Sequence, residues 1–336
     1  MRFRSGFTPD LVPALRALLV DPSSLQTPAF LAGGRRFFHL ADPDRLGGGV
    51  PFAESVVVVG ASVRFETRRD LRAGLVLAEP GIADLHPDLS VLRVRDARAT
   101  VSALVEALAQ DIHYETPFAA GAGNRVHASA LVDGVLEGGV IVEAGAVVMA
   151  GAFIGRGARI EANAVIRGHV IIGANTVVQS GAVVGSAGFG FHAGAGGAGV
   201  HGPVLMPHAA GVVIGADCFI GANTVIAAGV LHPTELGDGC KLDSHVQIAH
   251  NVRVGPGALM ASQSGVAGST LIGARFRMGG AASVAGHLRL GDDVSVAAKA
   301  GVTKDVPDGV TVAGFPARPI GEWRRDVATA RSRDDR

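Results

Sequence analysis

From residue 142 to residue 302 an aliphatic side chain returns at every sixth position, and no other feature limits the fold as strongly. The beat runs Val142, Val148, Ile154, Ile160, Ile166, Ile172, Val178, Val184, and after an interruption Ile214, Ile220, Ile226. A second phase runs Leu236, Leu242, Ile248, Val254, Met260, Val266, Ile272, Met278, Val284, Leu290, Val296, Val302. Six fits neither the 3.6 period of a helix nor the simple alternation of a hairpin meander. It fits a short flat strand followed by a tight corner, three of which close a triangular coil of about eighteen residues that pairs with the next coil. The residue four after each beat is usually small or β-branched (Ala146, Ala152, Ala158, Thr176, Cys218, Cys240) and is expected to face inward near a corner. The glycine directly after many beats, such as Gly155, Gly173 and Gly215, is expected to supply the corner's positive φ. A disordered Gly/Ala-rich segment would not keep aliphatics in register over so many beats. The expected fold is mainly β: a left-handed parallel β-helix.

Residues 1–120 lack the beat and read as a small α/β domain. Leu11, Leu15, Leu18 and Leu19 have helical spacing, Ser55–Val63, Ala73–Ala78 and Ser90–Val94 read as strands, and Thr100–Gln110 has one apolar helical face. The β-helix is expected over 121–312, with an irregular first coil at Val126–Glu137, and a helical tail over 313–336 in which Trp323 packs on the last coil. Lys+Arg and Asp+Glu balance at 30 each, so bulk charge gives no argument for nucleic acid or an anionic membrane. The start, MRFRSGFTPD, lacks the apolar core of a signal peptide, and no run reaches the eighteen apolar residues of a spanning helix. A cytoplasmic protein is expected. Cys218 and Cys240 occupy the small inward beat and read as packed free thiols.

The beat breaks twice, at the Gly-rich stretch 185–208 and at Ala227–Glu235, and loops that leave a rigid scaffold are where binding groups collect. His245 and His287 fall three after a beat and His250 two after one, so all three point outward at or near corners. One such histidine is ordinarily a solvated surface residue. His287 stands two coils and one step beyond His250, however, so both can line one edge of the prism. An imidazole covered there, as by another copy in three-fold packing, is suited to general-base work. Asp243 is the candidate to hold its ring, and Gly268, one coil above His250, can present an unobstructed N–H to an oxyanion.

At these residues the chain resembles the UDP-3-O-acylglucosamine N-acyltransferase family of lipid A biosynthesis, a hexapeptide-repeat acyltransferase family. The matching stretches are QSGAVVGSAGFGF (Gln179–Phe191), VQIAHNVRVG (Val246–Gly255), GVAGS (Gly265–Ser269), GGAASVAGH (Gly279–His287) and GFPARPIGEWRR (Gly314–Arg325). The likeness covers residues 120–325 well and the first domain poorly. It implies a homotrimer that moves a 3-hydroxyacyl chain from acyl carrier protein to the 2-amino group of a UDP-3-O-acylated glucosamine, with no cofactor or metal. It implies His250 as the base, Gly268 as oxyanion donor, and His287 near the substrate's phosphates. Asn251, Gln247, Gly188 and Phe189 of the matching stretches are placed at the substrate. It also implies a uridine-binding role for the first domain, where Arg64-Phe65 stands for the family's Lys-Tyr pair and Phe65 would stack on uracil. Late-coil and tail basics (Arg289, Lys299, Lys304, Arg318, Arg324, Arg325) are a possible patch for the acidic carrier protein, or a plain solvated face.

The chain departs from the family pattern at three places. Ala227-Ala228-Gly229 replaces Asp-Arg-Gly, Pro207-His208 replaces Pro-Gln, and Ser244 replaces the Asn after Asp243. Three other readings stay open at this point. One is a sugar-nucleotide N-acetyltransferase using acetyl-CoA. Another is a γ-type carbonic anhydrase-like protein with zinc on His208, His245 and His250. The third is a non-catalytic β-helix scaffold.

Overall fold

The computed structural model describes residues 2–7, 18–19, 37–41, 55–60, 73–82, 85, 88–108, 112–113, 121–193, 202–314 and 321. In the first domain the strands are β1 (Arg2–Phe7), β2 (Phe37–Ala41), β3 (Ser55–Val59), β4 (Leu75–Ala78), β5 (Val91–Arg93) and β6 (Ile112–His113), with one helix, α1 (Ala97–Leu108), among the described residues. They form a sheet in the order β5-β4-β3-β2-β1-β6, parallel from β2 to β5 and antiparallel on both sides of β1. The unbroken apolar runs SVVVV and LVLA follow from burial on both faces. Val56, Val58, Leu75 and Leu77 pack beneath Val101, Leu104 and Val105 of α1, while Val57, Val59, Val76 and Ala78 pack with Ile82 on the other side.

Helix α1 begins earlier than its apolar spacing implies because Asp96 caps it: Oδ1 accepts the Ala99 N–H at 2.9 Å. Leu18 and Leu19 are buried, and Leu19 bridges to Val94. Leu11, Leu15, residues 61–63, Phe65, Trp323 and the expected tail helix lie outside the described residues. The core under α1 also takes in Met206 and Val230 from the second domain, which joins the two domains on one side of the coil.

The second domain is a parallel β-helix with three flat faces, formed by stacked sheets of ten, nine and eight strands. Val142 pairs with Ile160 on the first face, Val148 with Ile166 on the second, and Ile154 with Ile172 on the third. The beat residues fill the interior with the small residues four later, Ala146, Ala152, Thr176 and Cys240 among them, all fully buried. The first coil, Arg125–Leu136, is shortened, with Val126 opposite Val142. A partial last coil continues past Val302 through Val306 to Val312.

The corner works differently from the expectation. The left-handed φ falls three residues after most beats, with Gly185 the exception at one, and fourteen non-glycine residues among those described adopt it, including Asn163 (59°), Asn251 (63°), Ser269 (61°) and His287 (62°). Their N–H groups are used: Ser269 donates to His250 O and His287 to Gly268 O, each at 3.0 Å. The glycine after the beat serves another need, close approach between coils. A Cβ on Gly173 would lie 2.3 Å from the Gly215 carbonyl carbon and 2.5 Å from Ala216 N.

Both interruptions leave the coil at the same edge, the one between the second and third faces. Ile172 pairs with Ile214, 42 residues on, yet the ladder continues unbroken. In the next coil Ile226 pairs with Ile248, 22 residues on, and again the added residues are thrown out between the second and third faces. The longer excursion carries an antiparallel hairpin, Phe191–Ala193 against Pro203–Leu205.

The close approach at Gly173 makes a prediction. Gly173→Ala should lower stability by about 1–3 kcal/mol, whereas Gly301→Ala, with nothing within 4 Å of its added carbon, should change it by less than about 0.5 kcal/mol. Urea unfolding followed by circular dichroism measures both, and equal effects would contradict the close-approach reading.

Candidate active site

His250 stands on that same edge, directly after the two excursions, two residues past the inward Ile248. Backbone lies close on two sides of its ring. A Cβ on Gly268 would lie 2.7 Å from His250 Cε1 and 2.8 Å from Nε2. A Cβ on Gly188, in the long excursion, would lie 2.8 Å from His250 Cβ and Cδ2. Only glycine allows either chain segment so near the imidazole. The Gly268 N–H, in the coil above, donates to no acceptor among the described residues, whereas the equivalent Ala228 N–H lower on the same edge donates to Ser186 O at 2.8 Å.

The tautomer of His250 follows from its neighbour. Asn251 is 6% exposed and its amide is used at both ends. Nδ2 donates to His232 O at 3.1 Å and to His232 Nε2 at 3.3 Å, while Oδ1 accepts the Val230 N–H at 3.3 Å. With the amide so oriented, Oδ1 can only accept from His250 Nδ1, 3.0 Å away. Nδ1 therefore carries the proton, and Nε2 keeps a lone pair beside Gly268. The Asn251 N–H goes to Thr234 Oγ1 at 2.9 Å, the hydroxyl standing in for a carbonyl of the coil below.

Asp243 does not hold the His250 ring. It lies one residue past Leu242 on the first face, at a different edge, where its carboxylate accepts from Ser244 N (2.7 Å) and Ser262 N (3.2 Å). The seven-residue separation carries the chain across a whole face of the prism. Asn251 does the orienting.

His250, Asn251, Gly268, Ser269, Gly286 and His287 line one side of a cleft of about 360 Å³. Its other walls are Arg98 and Val101 of α1, Phe189, Phe191 and Met206 of the long excursion, and Val230 and Leu231 of the short one. Phe189 is 89% exposed and meets Phe191 edge to face at 5.0 Å. Gly188 packs beside the cleft, as described. Gln247 is exposed on the second face and is not among the cleft-lining residues. Sequence reasoning missed Arg98, Met206, Val230 and His232. The signal for the last three was their position in the two interruptions.

His208 also reaches this site. Its ring centroid is 5.2 Å from that of His250, at 70°. The zinc reading does not survive this geometry. His245 sits at the edge between the first and second faces, so the H-x4-H spacing spans a face, and no group of three or more potential ligands is placed to hold a metal among the described residues. Cys218 and Cys240 are buried free thiols, as expected.

Residues 151–186 match the family described as bacterial transferase hexapeptide (six repeats), and residues 211–246 the hexapeptide repeat of succinyl-transferase. The coil is a hexapeptide-repeat β-helix. Part of the chain is 51% identical over 142 residues to a UDP-3-O-acylglucosamine N-acyltransferase of Azorhizobium caulinodans, covering 42% of this chain and 38% of that protein. A UDP-3-O-acylglucosamine N-acyltransferase 2 of Legionella pneumophila is 47% identical over 140 residues, covering 42% and 39%. The matched part thus spans about two fifths of the length of these curated relatives. The solved UDP-N-acetylglucosamine acyltransferase of Campylobacter jejuni aligns over 60% of this chain and 78% of its own, at 24% identity and a TM-score of 0.48.

Asn251→Ala should therefore leave His250 as a mixture of tautomers, while Asp243→Asn should leave its Nδ1–H form intact. Ring 15N chemical shifts report both, and a tautomer unmoved in Asn251→Ala would contradict the assignment.

Proposed function

We propose that this protein is an N-acyltransferase that moves a 3-hydroxyacyl chain from acyl carrier protein to the 2-amino group of UDP-3-O-acylglucosamine. The observation that carries this reading is His250: a base with its tautomer fixed, its Nε2 close to Gly268, whose N–H is uncommitted, on the wall of a half-apolar cleft. The names of the relatives support the substrate class.

The chemistry follows from the placement. The 2-amine attacks the thioester carbonyl, and His250 Nε2 takes the proton that the nitrogen loses as the C–N bond forms. The carbonyl oxygen becomes an oxyanion that the Gly268 N–H can accommodate. Collapse breaks the C–S bond, and the imidazolium returns its proton to the leaving thiolate. An amine and a thioester react readily once held together, so positioning and one base suffice without a metal or cofactor.

The walls favour a long acyl donor over acetyl-CoA. Val101, Phe189, Phe191, Met206, Val230 and Leu231 give the cleft an apolar lining that an acyl chain can lie against. Arg98 and His287, on different walls of the cleft, are suited to phosphate oxygens of a sugar nucleotide. The first domain, with Phe65, is proposed to take the uridine. Arg289, Lys299 and Lys304 are exposed on the late coils and suit an acidic carrier protein. A homotrimer, with a second copy covering the prism, completes the reading, and a cytoplasmic setting follows from the substrates. An oriented base in a lined cleft argues against a non-catalytic scaffold.

Transfer from 3-hydroxyacyl-acyl carrier protein to UDP-3-O-acylglucosamine, followed by mass spectrometry, is the test. Wild-type protein should turn over and His250→Ala should lose about 100-fold or more while keeping its assembly. No wild-type turnover, or full turnover with acetyl-CoA alone, would overturn the proposal.

A further inference from the structure

The long excursion brings a second imidazole to His250. His208 Nδ1 lies 2.7 Å from the Met206 carbonyl oxygen, and a carbonyl only accepts, so Nδ1 carries the proton and Nε2 the lone pair. That Nε2 is buried and has no hydrogen-bond partner among the described residues. It is on the side of the ring that faces His250. The point where a Gly188 Cβ would sit is 2.8 Å from His208 Nε2 and also 2.8 Å from His250 Cβ and Cδ2. Gly190 closes the other side, its added carbon falling 3.1 Å from His208 Nε2 and Cε1. A buried acceptor without a donor is costly and is kept where it has a use.

We propose that His208 is a positioning residue for His250, holding the negative end of a neutral imidazole toward the base so that positive charge gathered on His250 is stabilised. The ring dipole of the Nδ1–H form runs from Nε2 toward Nδ1–H, and the Met206 carbonyl fixes that direction. Two effects favour the neutral form of His208. Burial holds its imidazole below the ordinary range, and charge on His250 pushes the same way, with only the Met206 carbonyl opposing. The other charged or titratable groups lining the cleft or standing behind Asn251 are Arg98 from α1, His287 from the edge above and His232 from the short excursion. All three are unchanged in the variants below. This inference deepens the proposed acyl transfer, and its test has one arm that does not need that reaction.

In the first arm the His208 ring is titrated by NMR in the wild-type chain and in His250→Gln. Removing the neighbouring charge should raise the His208 midpoint; an unmoved midpoint overturns the coupling. In the second arm kcat/KM for acyl transfer is followed against pH in His208→Leu and His208→Gln. His208→Leu should lose about three- to tenfold with its acid limb displaced to lower pH and KM retained. His208→Gln, which still offers an acceptor, should recover most of that loss. Equal rates for Leu and Gln, or a Leu variant like wild type, would show that the lone pair does nothing. If His208→Leu fails to fold, His208→Gln and the titration still decide. Absent wild-type turnover would sink the proposed reaction alone, leaving the first arm to judge the imidazole pair.

Discussion

Each coil of the β-helix is held to the next by backbone hydrogen bonds at a fixed residue spacing, and the side chains are chosen to let those backbones meet. The aliphatic beat fills the interior, but glycine after the beat sets how closely the coils approach: at Gly173 an added carbon would lie inside the Gly215 peptide. The same pairing tolerates residues such as Arg275 and Lys299 at φ of 57° and 59°. A left-handed backbone costs an L-residue about 1–2 kcal/mol. It persists here because each corner N–H then meets an acceptor in the neighbouring coil, as Arg275 meets Pro256 O at 2.8 Å and Lys299 meets Gly280 O at 2.9 Å. The chain accepts local strain to keep the ladder continuous.

That continuity explains where the site lies. A rigid prism allows insertions only at its edges, and both large insertions use one edge in successive coils. Stacking them places the GFGF segment, His208 and His232 beside His250 and under Gly268, residues separated by up to 80 positions in the chain. The coil supplies height and register, and the insertions supply cover. Helix α1 seals the far wall because Met206 and Val230 share its core, so the first domain, whatever it binds, is fastened to the cleft rather than tethered nearby.

The repeat, its phase change and the two insertions were legible from periodicity alone, since a six-residue spacing admits few folds. The role of the beat glycines was not. A sequence shows that glycine is needed, but not whether the need is a positive φ or a close neighbour, and Gly155 and Gly157 differ on this point two residues apart. His250 and Gly268 were legible because eighteen residues make one coil. Asp243 misled for the same reason: proximity in sequence means little when seven residues cross a face. His232 and the orientation of the His208 ring were hidden because insertions have no period, and the spacing that fixes everything else gives no register inside them.

Asn251 shows why the site uses an amide where a carboxylate seemed the natural partner of a histidine. The position requires φ near 63°, which Asn tolerates better than most side chains. Its amide can be pinned at both ends, by His232 and by the Val230 N–H, so that it tells His250 which nitrogen to protonate. A carboxylate has no N–H to give His232 and would leave that carbonyl and imidazole unmatched. An amide also brings no charge, so it orients the base without neutralising the imidazolium. Stabilising that charge must then fall to another group, and the buried lone pair of His208, on the other flank of the ring, stands where such a group is needed.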